Sequence, residues 1–282
     1  MKIAVILNYI NFKQTIACCN KLLEAGLDEV VIVDNFSPNN SMNEIKSVFS
    51  ENNKVLLVQN SVNNGYARGN NYALRIIEHE VGVSDSNIIF IVNPDVSVNK
   101  DAINKISDCI LRIPNVGAMT SLINGSTSGV WHHLTPSKAF LFNSWTCRWL
   151  LLKLKIREGG KYKKGKTNLT KVDVVTGAFF GIKQTTFKDV NYFDEGTFMY
   201  YEEESLHKKL EKSGKQNYLL NTVNTLHQGR GSTSLSKIKF KQINDKSRLY
   251  FLKKYYKVNS TYIFFTKCVN KFENWLLKIA KR

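Results

Sequence analysis

Five cysteines in 282 residues, odd in number and with no C-x-x-C pair among them, leave neither a disulfide framework nor a zinc site to organise this chain. They read as reduced thiols of a cytosolic protein. No window reaches the eighteen or so apolar residues of a spanning helix. The apolar run "IAVIL" between Lys2 and Asn8 is too short for a signal peptide, so the protein is expected to stay on the side of the membrane where it is made. The G-x-G-x-x-G spacing of dinucleotide-binding loops is missing too, and the first strand-to-helix stretch, "VILNYINFKQT", contains no glycine. That counts against a nucleotidyltransferase, which would grip a triphosphate with a glycine-rich N-terminal loop.

Acidic residues are also scarce, 23 against 40 Lys and Arg, for a formal charge of +17. The excess is local. Residues 137–171 and 235–282 carry +9 and +11 of it, which leaves the rest of the chain at −3. A nearly neutral body with two basic segments suggests a catalytic core that docks on something anionic, a membrane surface or nucleic acid. The basic residues avoid the region where a ligand is expected and form no recognised nucleic-acid motif, so nucleic acid is set aside.

What the chain does have is a rhythm. "IAVIL" (3–7), "VVIV" (30–33), "VLLV" (55–58) and "IIFIV" (88–92) alternate with helical-period segments up to Gly26 and around 41–50, 66–80 and 99–112. Short β-branched and aliphatic runs between helices argue for parallel strands covered on both faces, hence an α/β fold with an open, mostly parallel sheet flanked by helices. From 113 to 171 the pattern breaks down. Strand material resumes at "KVDVVTGAFFGIK" (171–183), and "FMYYEEESLHKKLEK" (198–212) reads as a helix stopped by Gly214.

Each of the first four runs ends at a polar residue: Asn8, Asp34, Asn60 and, after Asn93 and Pro94, Asp95. Ligands of open α/β sheets lie beyond the carboxyl ends of the strands, so these stops line one crevice. Asp34, ahead of "NFSPNNS", suits capping of its own turn and ligand contact equally. Asp95, turned outward after a proline, is a hard-oxygen donor suited to Mg²⁺ or Mn²⁺. "NNGYARGNN" (63–71) offers Gly65, Gly69 and Arg68 at a helix start, a geometry for approach to phosphate that a plain glycine turn would share. Glu202, Glu203 and Glu204 open a helix, where they suit its dipole, and residues about 100° apart can send at most two of the three into the crevice. His227, in a glycine-flanked loop, is either structural or a metal ligand.

Taken together, "VILNYINFKQT", "VIVDNFSPNNS", "NNGYARGNN", "NPDV", "TGAFFGIKQTTFKDVNYFDEGTFMYYEEESL" and "HQGRGS" resemble the family 2 glycosyltransferases, in particular the bacterial branch that includes rhamnosyltransferases of surface-polysaccharide assembly. The six strings keep the family's order across residues 3–232. The resemblance implies a GT-A fold and inverting, metal-dependent transfer of a sugar from a nucleoside diphosphate, with L-rhamnose from dTDP-rhamnose as the favoured donor, UDP-hexose as the alternative, and O-antigen or capsule synthesis as the setting. It implies that Asp34, with Asn8, Tyr9, Gly65, Arg68 and Asn93, binds the nucleotide sugar, that Asp95 of the "NPD" form of D-x-D holds the ion with His227, and that Glu203, beside Glu202, is the base. Ser205 departs from the family, which commonly has a second Asp there. The implied domain runs from 1 to 234, with a nucleotide-binding half at 1–112 and an acceptor half at 113–234, followed by a basic helical extension at 235–282. The acceptor implied is a saccharide, lipid-linked as in much of the family. An inactive scaffold is disfavoured by the retained carboxylates.

In that extension Phe265, Val269, Phe272, Leu276 and Ile279 recur at helical spacing, with Lys267, Lys271, Lys278, Lys281 and Arg282 mostly off that face. The stripe serves core packing or docking on the inner face of the cell membrane equally well, and "RWLLLKLK" (148–155) adds weight to docking.

Overall fold

A computed structural model describes residues 1–155, 162–165, 167–229 and 236–279; Arg230 to Ser232 of "HQGRGS", part of the 137–171 basic segment, Lys281 and Arg282 lie outside the described residues. The order is β1 (Lys2–Asn8), α1 (Phe12–Glu24), β2 (Glu29–Asp34), α2 (Ser41–Phe49), β3 (Val55–Gln59), α3 (Tyr66–Glu80), β4 (Ile88–Val92), β5 (Val96–Ser97) and α4 (Lys100–Arg112). Then come β6 (Val116–Ile123), β7 (Val130–Trp131), α5 (Pro136–Asn143), α6 (Trp145–Lys153), β8 (Leu169–Val172), β9 (Val174–Val175), β10 (Phe179–Lys183), α7 (Gln184–Asp189), α8 (Glu202–Lys212), β11 (Gln216–His227), α9 (Lys237–Tyr256) and α10 (Ser260–Ile279).

The main sheet runs β3-β2-β1-β4-β10-β6-β11-β5, with β8 also on β11. The first four strands are parallel, β10 is antiparallel to β4 and β6, and β11 is parallel to β6. Alternate residues of each strand feed opposite faces, as the period of two requires. Ala4, Ile6, Ile88, Phe90 and Val92 pack with α1, α2 and α4, whereas Ile3, Val5, Ile89 and Ile91 pack with α3, α7 and α8. This double burial is why the first strands are uninterrupted apolar runs.

Two strands lacked that signature. β6 is buried at all eight positions, but its Thr120 and Ser121 break the apolar run; they are accommodated because Thr120 donates to Phe179 O at 2.7 Å and Ser121 shares a hydrogen bond with Thr225 at 2.5 Å. β11 is twelve residues long, yet Asn217, Asn221 and Asn224 and a register shift between Leu220 and Asn224 obscure its alternation. The helix expected from 198 begins instead at Glu202. Tyr200 and Tyr201 sit in the left-handed region, at φ 73° and 72°, so residues 198–200 form a bend and the helix starts only after them.

The described part of the basic segment, residues 236–279, is not a free appendage. Phe251 and Leu252 of α9 form a buried cluster with Leu134, Ala139 and Tyr201. Asp194 accepts hydrogen bonds from Tyr250, Tyr255 and Lys254 of the same helix, and Ser247 donates to Met199 O. No helix among the described residues is long and apolar enough to cross a membrane.

Candidate active site

A cavity of about 720 Å³ opens at the carboxyl ends of β1 and β4, within the range of small-ligand sites. Its lining includes Asn8, Tyr9, Asn35, Asn63, Gly65, Asn93, Asp95, Thr176, Gly177, Glu202, Glu203, His227 and Lys239.

Asp34 is not among them. It is fully buried, its Oδ1 accepting from Asn8 Nδ2 at 2.7 Å and from Ser37 Oγ at 2.6 Å, and its Oδ2 from the Ser37 N–H at 3.0 Å. These are the bonds of a cap on its own turn. Asn8, which it holds, reaches the cavity in its place. Asn8 is fixed further by Thr15 Oγ1 at 2.6 Å, while Asn60 donates to Asn35, Asn35 to Asn63, and the Gly65 N–H to Asn63.

Arg68 is likewise turned away. It is half-exposed and faces Glu195, with Nε 3.8 Å from Oε2. One helical turn separates it from Gly65, so the helix start reaches the cavity while the arginine points to solvent. Gly65 has φ 95°, and a Cβ there would come 2.0 Å from Phe198 O, so this position admits only glycine. The contact is tied by Tyr66 N–H donating to the same Phe198 carbonyl at 2.9 Å.

Asp95 and His227, 132 positions apart, do meet. β5 pairs antiparallel with the end of β11, Val96 opposite His227, which sets His227 Nε2 3.2 Å from Asp95 Oδ2. Burial acts to raise the Asp95 carboxyl, but the His227 hydrogen bond and charge with the Gly229 N–H outweigh it, and the net shift is downward. The His227 imidazole is raised in turn, chiefly by its bond to Asp95.

On another wall, two left-handed tyrosines aim the first turn of α8. Glu202 lines the cavity, buried, accepting from Thr197 Oγ1 at 3.3 Å; Glu203 lines it with Oε1 accepting the Gly177 N–H at 3.0 Å. Glu204 faces the other way and accepts from Trp131 Nε1 at 2.8 Å and Leu134 N–H at 3.3 Å, so two of the three acids reach the crevice. The helix dipole favours all three as anions by roughly 0.3–1 kcal/mol, yet desolvation wins. The Glu202 and Glu203 carboxyls are raised, burial first and, for Glu202, the neighbouring Glu203 second, while Glu204 is pushed up to about 7.

The segment Thr176-Gly177-Ala178 joins the two walls. Asn93 N–H donates to Ala178 O at 2.8 Å, Tyr66 O–H donates to Gly177 O at 2.7 Å, and the Gly177 N–H holds Glu203. A Cβ at Gly177 would lie 2.7 Å from Glu203 Oε1, so any side chain there displaces the carboxylate. The sequence pointed to neither Gly177 nor Tyr66 as part of the site, and Lys239 of α9 was hidden in a segment that reads as an appendage. Lys239 is the one Lys or Arg among the described residues lining the cavity. The only local hint was that α9, starting at Lys237, lies within a few residues of "HQGRGS".

Among the described residues no group of three or more His, Cys, Asp and Glu could hold a metal ion unaided. The Asp95–His227 pair supplies one carboxylate oxygen and one imidazole nitrogen. Asp95 and His227 would hold a divalent ion only together with oxygens of a bound diphosphate and water, the carboxylate being the donor that Mg²⁺ and Mn²⁺ favour.

A strand-end cavity with a carboxylate–imidazole pair on one wall and buried carboxylates on another, in a mostly parallel sheet that reverses at β10, is the architecture of the GT-A glycosyltransferases. The chain belongs to glycosyl transferase family 2, whose model matches residues 4–191. It is 28% identical over 180 residues to the low-salt glycan biosynthesis hexosyltransferase Agl10 of Haloferax volcanii, covering 64% of this chain and 52% of that protein, so the match spans about half of the relative's length. Its fold is shared by GalNAc-T7 solved with UDP, GalNAc and Mn²⁺ (TM-score 0.64, 13% identity, 90% of this chain and 47% of that one). It is also shared by the mannosyltransferase PcManGT of Pyrobaculum calidifontis with GDP-Man and Mn²⁺ (0.58, 14%, 92% and 65%), and by S. aureus TarS 1–349 with UDP-GlcNAc (0.56, 15%, 90% and 67%).

Proposed function

We propose that this protein is an inverting glycosyltransferase that moves a sugar from a nucleoside diphosphate to a saccharide acceptor. The observation that carries the reading is the meeting of Asp95 with His227 on one wall of a cavity whose other wall holds Glu203. Tyr9 and the Asn8, Asn35 and Asn63 amides are assigned to the nucleoside, Gly65 and Asn93 to the diphosphate and sugar, and Asp95 with His227 to a Mg²⁺ or Mn²⁺ ion. The bound ion supplies neutralisation of the leaving diphosphate.

The rest of the chemistry lies with the chain. Glu203 removes the proton from the acceptor hydroxyl as its oxygen bonds to the anomeric carbon, and the bond from that carbon to the diphosphate oxygen breaks with its electron pair. A single displacement opposite the leaving group inverts the anomeric centre. Burial that raises the Glu203 carboxyl makes it a stronger base than an exposed glutamate, and the Gly177 N–H fixes which oxygen is free. Lys239, not Arg68, is the lysine or arginine placed to offset negative charge on the leaving group.

The donor favoured is dTDP-L-rhamnose, on the motif resemblance. A hexose donor is the second reading, favoured by the hexosyltransferase relative. The setting proposed is surface-polysaccharide assembly, O-antigen or capsule, on a lipid-linked acceptor at the cytoplasmic face of the membrane. Incubation with dTDP-rhamnose, UDP-hexoses and GDP-mannose, with and without Mn²⁺ or Mg²⁺, should show slow metal-dependent hydrolysis of one donor class. No hydrolysis or binding of any of them would refute the activity.

A further inference from the structure

α10 is packed inside out. Its buried residues are Thr266 and Glu273, and Glu273 is wholly enclosed, accepting at Oε1 from Ser144 Oγ (2.8 Å), Thr146 N–H (2.8 Å) and Thr146 Oγ1 (2.9 Å) while Lys241 pairs with Oε2 at 2.8 Å. Arg248, buried on α9, bonds Asp245 Oδ1 at 2.8 Å and reaches Asn270 of α10 at 2.9 Å. A polar network therefore fastens α10 and the start of α6 to α9, although desolvating such groups is the costly way to seat a helix that has an apolar stripe to offer.

The stripe faces the other way. Phe264, Phe265, Phe272, Trp275 and Ile279 are each at least half exposed. At about 100° per residue they fall, with exposed Cys268, within an arc of roughly 100° on the side away from Thr266 and Glu273. The exposed Lys267, Lys271 and Lys278 fall together along one edge of that arc. The expected stripe through Val269 and Leu276 is thus rotated: those two are partly buried beside the exposed arc, and core packing uses another face. α6, whose start touches Glu273, has no buried residue in its nine; Trp145, Trp149 and Leu152 share one exposed face, and Lys153 lies over the Trp149 ring at 4.0 Å.

We infer that the outer faces of α6 and α10 form one interfacial docking surface for an anionic lipid bilayer. The apolar arc enters the headgroup–acyl boundary, the tryptophans sit at headgroup level, and the lysine edge meets lipid phosphate. Charge decides this occupant over a second copy of the chain: α6 has no acid and the one acid of α10, Glu273, is buried, so a second copy would bring the lysine edge no counter-charge from these helices. From the proposed function the inference takes only the membrane side of the acceptor. Binding can be measured without donor or acceptor, so its failure would leave the transfer reading standing.

The test is co-sedimentation of the full chain with phosphatidylcholine vesicles and with vesicles in which phosphatidylglycerol replaces part of the phosphatidylcholine. Binding should require the anionic lipid and weaken with salt. Changing Lys267, Lys271 and Lys278 together to Gln should lower partitioning on the order of 100-fold, at about 1 kcal/mol per basic residue. Phe272→Ser with Trp275→Ser should lower it at least ~10-fold. All five positions are exposed, so melting curves and donor hydrolysis should match wild type. Equal binding to neutral vesicles, no binding to anionic ones, or unchanged binding of both folded variants would overturn the inference. So would a dimer, seen by sedimentation velocity, that the Phe272 and Trp275 changes dissociate.

Discussion

Asp34 and Asp95 are the same event in the sequence, an acid closing an apolar strand, and they end in opposite roles. After Asp34 the chain turns back at once, and Ser37 and Asn8 occupy both carboxylate oxygens. After Asp95 the chain runs into a two-residue strand that pairs with the far end of β11, so the carboxylate meets His227 at the cavity. What separates a cap from a ligand is the pairing of the next few residues, a long-range fact. The first acid is buried behind the cavity wall; the second lines the cavity.

Substitutions can pull the two apart. The largest effect is expected at Asp95: Asp95→Asn should reduce metal-dependent turnover by ~10³-fold or more with an unchanged melting temperature, since it removes the anionic donor and leaves an isostere. Next is the opposite wall, where Glu203→Gln should cost at least ~10²-fold in kcat with little change in donor affinity, the mark of lost proton transfer. The base must be ionised, so wild-type kcat/KM should fall as pH drops through the raised Glu203 pKa, on a limb above the ordinary 4.5. A larger loss for Glu202→Gln would move the base by one residue.

The cation comparison is subtler. Lys239→Ala should raise the donor KM by about 10-fold, from loss of one charge contact, whereas Arg68→Ala should leave it within error, because Arg68 faces Glu195. The smallest catalytic effect is expected at Asp34. Asp34→Ala should lower stability by about 1–3 kcal/mol by orphaning buried partners, while kcat at a temperature where the variant is folded stays within a few-fold of wild type.

These contrasts mark what the sequence could and could not convey. Strands buried on both faces announce themselves: β1, β2 and β4 are buried almost throughout and were legible as apolar runs, and the half-buried β3 kept the same pattern. β6 and β11 were not, since their buried Thr, Ser and Asn are satisfied by partners about 60 to 100 positions away. In the site, Asp95, His227, Glu202 and Glu203 could be named from motif order, and the structure brings all four to one cavity. Asp34 and Arg68 were named by the same logic and do not arrive, because side-chain direction depends on local turn bonding and on the Glu195 contact. α10 shows the converse limit: helical spacing located an apolar stripe, but the face turned inward was fixed by Glu273 and its partners on α6 and α9.

The two aspartates also supply the most direct check. Donor binding can be titrated calorimetrically with and without Mn²⁺ for wild type, Asp34→Asn and Asp95→Asn, using the nucleotide sugar that the hydrolysis panel selects. Mn²⁺ should strengthen binding in wild type and in Asp34→Asn, and should do nothing for Asp95→Asn. Metal-strengthened binding that survives in Asp95→Asn, or disappears in a folded Asp34→Asn, would contradict the assignment of the ion to Asp95 and His227.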